Sequence, residues 1–399
     1  MSTRRDFDVV IAGGGMVGAA LAALLAATRA TAALKVALVE PHPPQAPRPD
    51  EPLDVRVSAL SHAAVGIVTQ VGAWPRLAER RPCAYERMIV WDAAGRVDGP
   101  DTLTFDAAEV GEPDLGCIAE NRAVAAALTE RALALGVALL AAPVSGLELG
   151  EDGARVLLSE RRLGAGLVVA ADGVDSPLRA LAGLTGRGSR YPQEAVVAHL
   201  TPELAHRSAA RQRFLPTGPL ALLPLADGRV SLVWSTRPEA AAELALLDAG
   251  AFGRAVTAAS DGVLGELTLA SPRGRFPLRR FQADSYVARR FALVGDAAHA
   301  VHPLAGQGVN QGLLDVAALV AELGNALAGG ADVGDGRALG RYARARRAGN
   351  MLMGEALNGI WHLFTDERRL VRQLRRHGLG IVNRSGLMKR FLTGRALGA

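Results

Sequence analysis

Phe7-Asp8-Val9-Val10-Ile11-Ala12-Gly13-Gly14-Gly15-Met16-Val17-Gly18 decides how the remaining chain is read. Phe7 to Ala12 is a short apolar run with several branched side chains, which suits a strand buried on both faces of a parallel sheet. The glycines then follow the GxGxxG spacing and lead into a helix of alanine and leucine. In that arrangement Gly13 permits the tight turn, Gly15 lets a diphosphate approach the backbone, and Gly18 lets helix and strand pack closely. The amides at the helix start, around Met16 and Val17, face the phosphates. Val36 to Val39 reads as a second strand, and Glu40 at its end is placed to accept hydrogen bonds from an adenosine ribose. The spacing alone is weak in a chain with 45 glycines, where a purely structural turn is the alternative. The strand before it and the acid after it favour an ADP-containing ligand, and glutamate in place of arginine argues against a phosphorylated ribose.

The same segment imitates an export signal or a membrane span, because Val9 to Thr28 carries no charge and follows Arg4 and Arg5. Asp6 and Asp8 interrupt the approach, and three successive glycines sit where a spanning helix needs bulk. Neither is expected.

Two later segments repeat the pattern of a strand that ends in glycine and aspartate. Leu167 to Ala171 leads into Asp172-Gly173-Val174-Asp175-Ser176-Pro177-Leu178-Arg179. Taken alone this is a capped turn entering a helix; its functional reading sets Asp172 and Gly173 near the diphosphate and the approach of a nicotinamide. Phe291 to Val294 leads into Gly295-Asp296 and then His302-Pro303-Leu304-Ala305-Gly306-Gln307-Gly308-Val309-Asn310. Gly295 allows close approach, Asp296 suits a ribityl hydroxyl, and the Gly306 to Gly308 loop opens a helix running through Asp315 and Leu319. A reduced isoalloxazine is negative around N1 and the C2 carbonyl, and a helix start carries about half a positive charge. Three such turns in this order point to FAD.

On these motifs the chain resembles the class A flavoprotein monooxygenases, whose shared marks are GxGxxG, DG and GD. Within that class it is similar to the ubiquinone-biosynthesis hydroxylases of polyprenylated phenols. The likeness continues through Asp54-Val55-Arg56-Val57-Ser58-Ala59-Leu60, Ile118 to Arg122, Phe214 to Leu225 and His302 to Gly308. It implies an FAD enzyme that takes electrons from a transient NAD(P)H and hydroxylates a polyprenylated phenol with O2 through a flavin C4a-hydroperoxide. It also implies Arg56 and Arg122 beside the flavin and its diphosphate. Gln307 and Asn310 would lie against the isoalloxazine, with Gly306, Gly308 and Val309 in the same loop. The candidate catalytic positions are His302, Pro303 and Gln307, although a histidine such as His302 is more often structural than a base. Rival readings are a monooxygenase of a soluble aromatic, a flavin-dependent isoprenoid reductase and a flavin-bearing scaffold. The WxWxIP pattern of flavin halogenases is missing around Trp74, Trp91, Trp234 and Trp361.

Because the motifs lie far apart, the α/β Rossmann-like flavin domain is expected to be discontinuous, drawn from 1–80, 105–185 and 281–330. Residues 81–104 and 186–280 alternate strand-like runs with Pro and Gly turns. They are expected to form an inserted antiparallel substrate sheet that encloses an apolar cavity against the Gly306 loop. Residues 331–399 are expected to be a helical C-terminal region. At 49% hydrophobic and 21% charged residues, the chain is an ordinary folded protein with no disordered character.

Its net charge of +5 comes almost wholly from arginine, Lys35 and Lys389 being the only lysines. That balance reflects composition and gives no nucleic-acid partner. Arg368, Arg369, Arg372, Arg375, Arg376, Arg384, Lys389, Arg390 and Arg395 crowd the tail among apolar residues. Such a tail suits either a solvated helix face or contact with an anionic membrane. Other ubiquinone-biosynthesis proteins are candidate partners, and a cytoplasmic site peripheral to the inner membrane is expected. Cys83 and Cys117 form no CxxC pair, and no metal site is expected.

Overall fold

The computed structural model describes residues 5–366 except Pro49 and Glu160, and beyond them residues 368, 378, 380, 382–385, 389 and 394. Strands whose side chains are apolar on both faces pair in parallel and take helices on either side. Phe291–Leu293, Arg162–Ala170, Phe7–Ala12 and Val36–Val39 follow one another in that order across the first sheet, all parallel. Ala138–Leu140 extends one edge, and an antiparallel strand, Val287–Ala288, closes the other. The register sets the strand ends level: Val39 opposite Ala12, Ala12 opposite Ala170, Ala170 opposite Leu293. Backbone bonding continues one step further, from Gly13 N–H to the Val39 carbonyl at 2.9 Å, Ala171 N–H to Ala12 at 2.7 Å and Val294 N–H to Ala170 at 3.0 Å. All the motif turns therefore leave one edge of one sheet.

A meander that the sequence reading did not resolve, Val144–Leu149 with Ala154–Leu158, runs antiparallel into the Arg162–Ala170 strand. Helix Met16–Ala27 buries every residue from Gly18 to Leu25. Helix Gln307–Ala328 is long and apolar enough to cross a membrane by length and composition, but 56% of its apolar window is buried in the protein. Leu313, Val316, Leu319 and Leu323 belong to the core shared with the Met16–Ala27 helix, so this is a core helix.

Among the described residues the second sheet has nine strands, with Gly186–Pro202, Val230–Thr236, Gly218–Pro224, Ala209–Leu215 and Arg87–Asp92 as consecutive neighbours. It departs from the expected antiparallel pattern at one place. Ala209–Leu215 runs parallel to Arg87–Asp92, a strand contributed by a separate stretch of chain and so free of the hairpin constraint. One face of the sheet, with Val196, Leu200, Leu222 and Leu232, packs under helices Pro238–Leu246 and Ala249–Ala259 through Phe252 and Val256. The opposite face carries Val90 and Phe214 and meets Leu304, Leu357 and Phe364. The apolar space expected against the Gly306 loop is thus occupied at its Leu304 end by the helix Gly336–Thr365, whose Phe364 stacks on Phe214 with ring centroids 3.7 Å apart. Of the basic tail residues, Arg369, Arg372, Arg375, Arg376, Arg390 and Arg395 lie outside the described residues. Lys389 is buried and paired with Glu109 at 2.6 Å, and Arg368 pairs with Asp366 at 2.6 Å.

Packing at the first turn leaves no room for a side chain at Gly13 or Gly18. A Cβ on Gly18 would stand 1.9 Å from the Gly13 carbonyl oxygen, and one on Gly13, at φ +105°, would stand 2.3 Å from the Ala171 oxygen. Both obstacles are backbone and cannot rotate away. Gly18→Ala is expected to lower stability by about 1–3 kcal/mol through forced separation of helix and strand. Thermal unfolding of the two proteins tests this; equal melting temperatures would refute the close contact.

Candidate active site

The first turn is held from behind by Glu40. Gly14 N–H donates to its Oε2 at 2.6 Å and His42 N–H to its Oε1 at 2.9 Å. In front, Gly15 has open space: nothing lies within 4 Å of where its Cβ would be. Exposed amides at a helix start with no side chain over them are an anion cradle. Gly13 abuts Ala171 and Asp172, while Val17 fills the space beside Gly295 and Gly312, whose Cβ positions lie 3.2 and 2.6 Å from its methyls. The first turn, the Asp172 turn, the Gly295 turn and the Gln307–Ala328 helix are therefore in mutual contact.

Asp172 accepts Leu178 N–H on Oδ2 at 3.3 Å, and its Oδ1 is buried with no protein partner. Burial pushes its carboxyl above the usual carboxylate range. An unsatisfied buried oxygen is costly and marks where a donor from a ligand belongs. Arg179 donates to the Val174 carbonyl at 2.9 Å and to the Ala297 carbonyl at 2.8 Å, and stacks over Phe281 at 3.9 Å. It ties the Asp172 turn to the Gly295 turn and to the second sheet.

Asp296 is exposed yet surrounded by enough protein that desolvation raises its carboxyl pKa. Gly308, at the start of the long helix, is next to it: a Cβ there would lie 4.0 Å from Asp296 Oδ1. Gly306 reaches the left-handed region at φ +61° to open that helix. A carboxylate acceptor and helix amides side by side suit a polyol chain and the electron-rich edge of a reduced ring.

The remaining sequence candidates divide. Arg56 sits 5.2 Å over the Phe276 ring and near enough to lower the Asp296 pKa by its charge. Arg122 is ion-paired with Glu51. Asn310 has its side-chain amide engaged within the protein, accepting from Ser61 N–H at 3.0 Å and donating to the Ala59 and Gly306 carbonyls at 2.9 and 3.0 Å. It fastens the Gly306 loop to the Val57–Leu60 strand. Gln307 is buried at the first helical position, Val309 is half-buried, and Pro303 is exposed.

His302 is fully buried, and Leu304 N–H donates to its Nδ1 at 3.3 Å. Its proton is therefore on Nε2, which faces Gln193 Oε1 at 3.3 Å. Burial lowers its pKa to about 4. With both nitrogens engaged, it has no free basic atom to offer a substrate.

Sequence reasoning missed Gln193 altogether. Its Oε1 also receives Trp361 Nε1–H at 2.7 Å, and its Nε2 donates to the Thr217 carbonyl at 2.6 Å, so one amide joins the second sheet, the His302 loop and the Gly336–Thr365 helix. Nothing local signals such a role. Asp315 was also missed, and there a signal existed: an acid among Leu313, Val316 and Leu319 on an otherwise apolar buried face. Among the described residues no cluster of His, Cys, Asp or Glu has the makings of a metal site. An open amide cradle, a buried carboxylate oxygen lacking a donor and an enclosed carboxylate beside a glycine-rich helix start fit the diphosphate, hydroxyls and ring edge of FAD.

Comparison with known proteins agrees. Residues 6–353 match the family described as FAD binding domain. The chain is 36% identical over 397 residues to the ubiquinone hydroxylase UbiL of Rhodospirillum rubrum, covering 98% of this chain and 89% of that protein. It is 34% identical over 405 residues to the 3-demethoxyubiquinol 3-hydroxylase of Escherichia coli, covering 99% and 100%. The crystal structure of p-nitrophenol 4-monooxygenase PnpA from Pseudomonas putida has the same fold, with a TM-score of 0.78 at 18% identity and 98% of each chain covered. The chain belongs to the FAD-dependent aromatic monooxygenases, in the branch formed by the ubiquinone-biosynthesis hydroxylases.

Proposed function

We propose that this enzyme hydroxylates the aromatic ring of a polyprenylated phenol on the route to ubiquinone, with NAD(P)H as transient electron donor and O2 as oxidant. The observation that carries the reading is identity of 34–36% over nearly the whole chain to two hydroxylases of ubiquinone compounds. Bound FAD supplies the redox chemistry, accepting electrons from the nicotinamide and activating oxygen. The chain supplies the rest. In this reading the amides around Gly15, Met16 and Val17 hold the diphosphate, Glu40 the ribose, Asp172 and Gly173 the flank of the nucleotide, and Asp296 the ribityl chain. The loop from Pro303 to Asn310 lies at the ring, where the helix start at Gln307 favours the negative charge of the reduced state.

Residues 81–104 and 186–280 serve as the substrate domain. Its inner apolar face, with Val90 and Phe214 opposite Leu304, keeps water from the activated oxygen, a requirement for transfer to the ring instead of loss as hydrogen peroxide. His302 positions Pro303 and Leu304 through Gln193 and takes no proton from the phenol. The enzyme works in the cytoplasm at the inner membrane surface, where a prenylated substrate resides, with other ubiquinone-biosynthesis proteins as neighbours.

Purified protein should oxidise NADPH and incorporate labelled oxygen into a prenylphenol, with much slower turnover of short phenolic acids; equal turnover of both would remove the lipid substrate. His302→Gln should retain hydroxylation within about tenfold, whereas loss of a true base costs about 100-fold or more. The same histidine has a stability signature. Between its ordinary pKa of 6.5 and the folded value of about 4 the unfolded chain takes up a proton that the folded chain refuses. Folded stability therefore falls as pH drops through that window, by up to about 3 kcal/mol, and urea unfolding at pH 7 and pH 5 should show a smaller drop for His302→Gln.

A further inference from the structure

Asp315 is the fully buried carboxylate of the Gln307–Ala328 helix. Four donors converge on it. Oδ2 accepts Gly295 N–H at 3.1 Å and His299 Nε2–H at 2.5 Å, and Oδ1 accepts Arg346 Nε–H at 2.8 Å and Asn350 Nδ2–H at 2.9 Å. The donors are themselves fixed. Arg346 Nη2 donates to Gln311 Oε1 and Asn350 Oδ1, each at 2.9 Å, and the His299 ring stacks on Tyr286 with centroids 5.8 Å apart. Replacing the whole network by apolar side chains of similar volume would cost the core little, so stability alone does not account for a buried carboxylate here. What an apolar side chain cannot do is hold the Gly295 amide.

That amide matters because it belongs to the turn that presents Asp296. Gly295 adopts φ +59°, a conformation that Val17 on one side and Asp315 on the other hold in place, and Asp296 is the next residue along the chain. We propose that Asp315 is a positioning residue for flavin binding: it pins the Gly295 turn so that the Asp296 carboxylate stays beside the Gly308 helix start. The inference rests on the reading of Asp296 as a ligand of FAD. Asp315 itself touches no ligand, and its whole effect passes through the turn. His299 and Arg346 hold the carboxylate ionised and oriented, as outer partners do around any ligand-bearing group.

The test measures FAD binding to FAD-stripped protein, independently of turnover. Asp315→Asn keeps the shape but removes the charge and one acceptor; we expect it to remain folded by circular dichroism and to bind FAD about tenfold more weakly or worse. A purely structural residue would lower the melting temperature of FAD-free and FAD-loaded protein alike. Here the extra melting temperature conferred by FAD should shrink. Because Asp315 acts through Asp296, Asp315→Asn should cost distinctly less affinity in an Asp296→Asn background than in wild type. Unchanged FAD affinity in the folded single variant, or full additivity with Asp296→Asn, overturns the proposal. If Asp315→Asn does not fold, His299→Phe decides: it preserves the stack on Tyr286, deletes one donor to the same oxygen and should weaken FAD in the same direction, while unchanged affinity again overturns the proposal. Failure of the flavin reading itself would look different, since wild-type protein would then take up no FAD at all.

Discussion

Parallel pairing with level strand ends is the constraint from which the rest of this protein follows. Val39, Ala12, Ala170 and Leu293 finish side by side, so the turns beyond them crowd into one small volume. Crowding selects glycine where backbones touch and leaves helix amides unshielded where they do not. Acidic groups also leave this edge, Glu40, Asp172 and Asp296, and backbone N–H groups and arginine serve them. Glu40 bonds to two amides, and Arg179 bridges the neighbouring turns.

Around that edge the second sheet and the Gly336–Thr365 helix act as walls. Gln193 and Arg179 are two side chains that cross from one sheet to the elements of the other, one through an amide and one through a stacked guanidinium. Gln193 is buried and Arg179 half-buried, which gives their hydrogen bonds weight that surface bonds lack. The many surface arginine–carboxylate pairs contribute little by comparison.

Much of this was legible in the linear chain. Phe7–Ala12, Val36–Val39 and the start of the Gln307–Ala328 helix fall where pattern and glycine spacing put them, because their determinants are local. The strand expected over Leu167 to Ala171 is longer, beginning at Arg162, since its first half pairs with the Ala154–Leu158 strand, a partner that periodicity cannot name. Helices Pro238–Leu246 and Ala249–Ala259 interrupt the region read as sheet, and their signals are local: alanine-rich sequence, a proline at the start of the first and an Asp248 cap on the second. At the site, residues whose function is carried by the backbone were visible as glycines. Those whose role is a long-range bond were not: Gln193 meets His302 and Trp361 across the fold, and no spacing rule anticipates that.

The order of strands in the first sheet also has a bearing on how the polypeptide is made. As synthesis proceeds, Arg162–Ala170 can join Phe7–Ala12 and Ala154–Leu158 early, but the other flank of Val168–Ala170 is satisfied only by Phe291–Leu293, after all of the second sheet except His299–Ala300 has emerged. For that interval the nascent chain carries an apolar strand with a bare row of amides and carbonyls, a template for unwanted association. Such non-local closure is slow, and the Gly295 and Gly306 turns have yet to leave the ribosome while it waits.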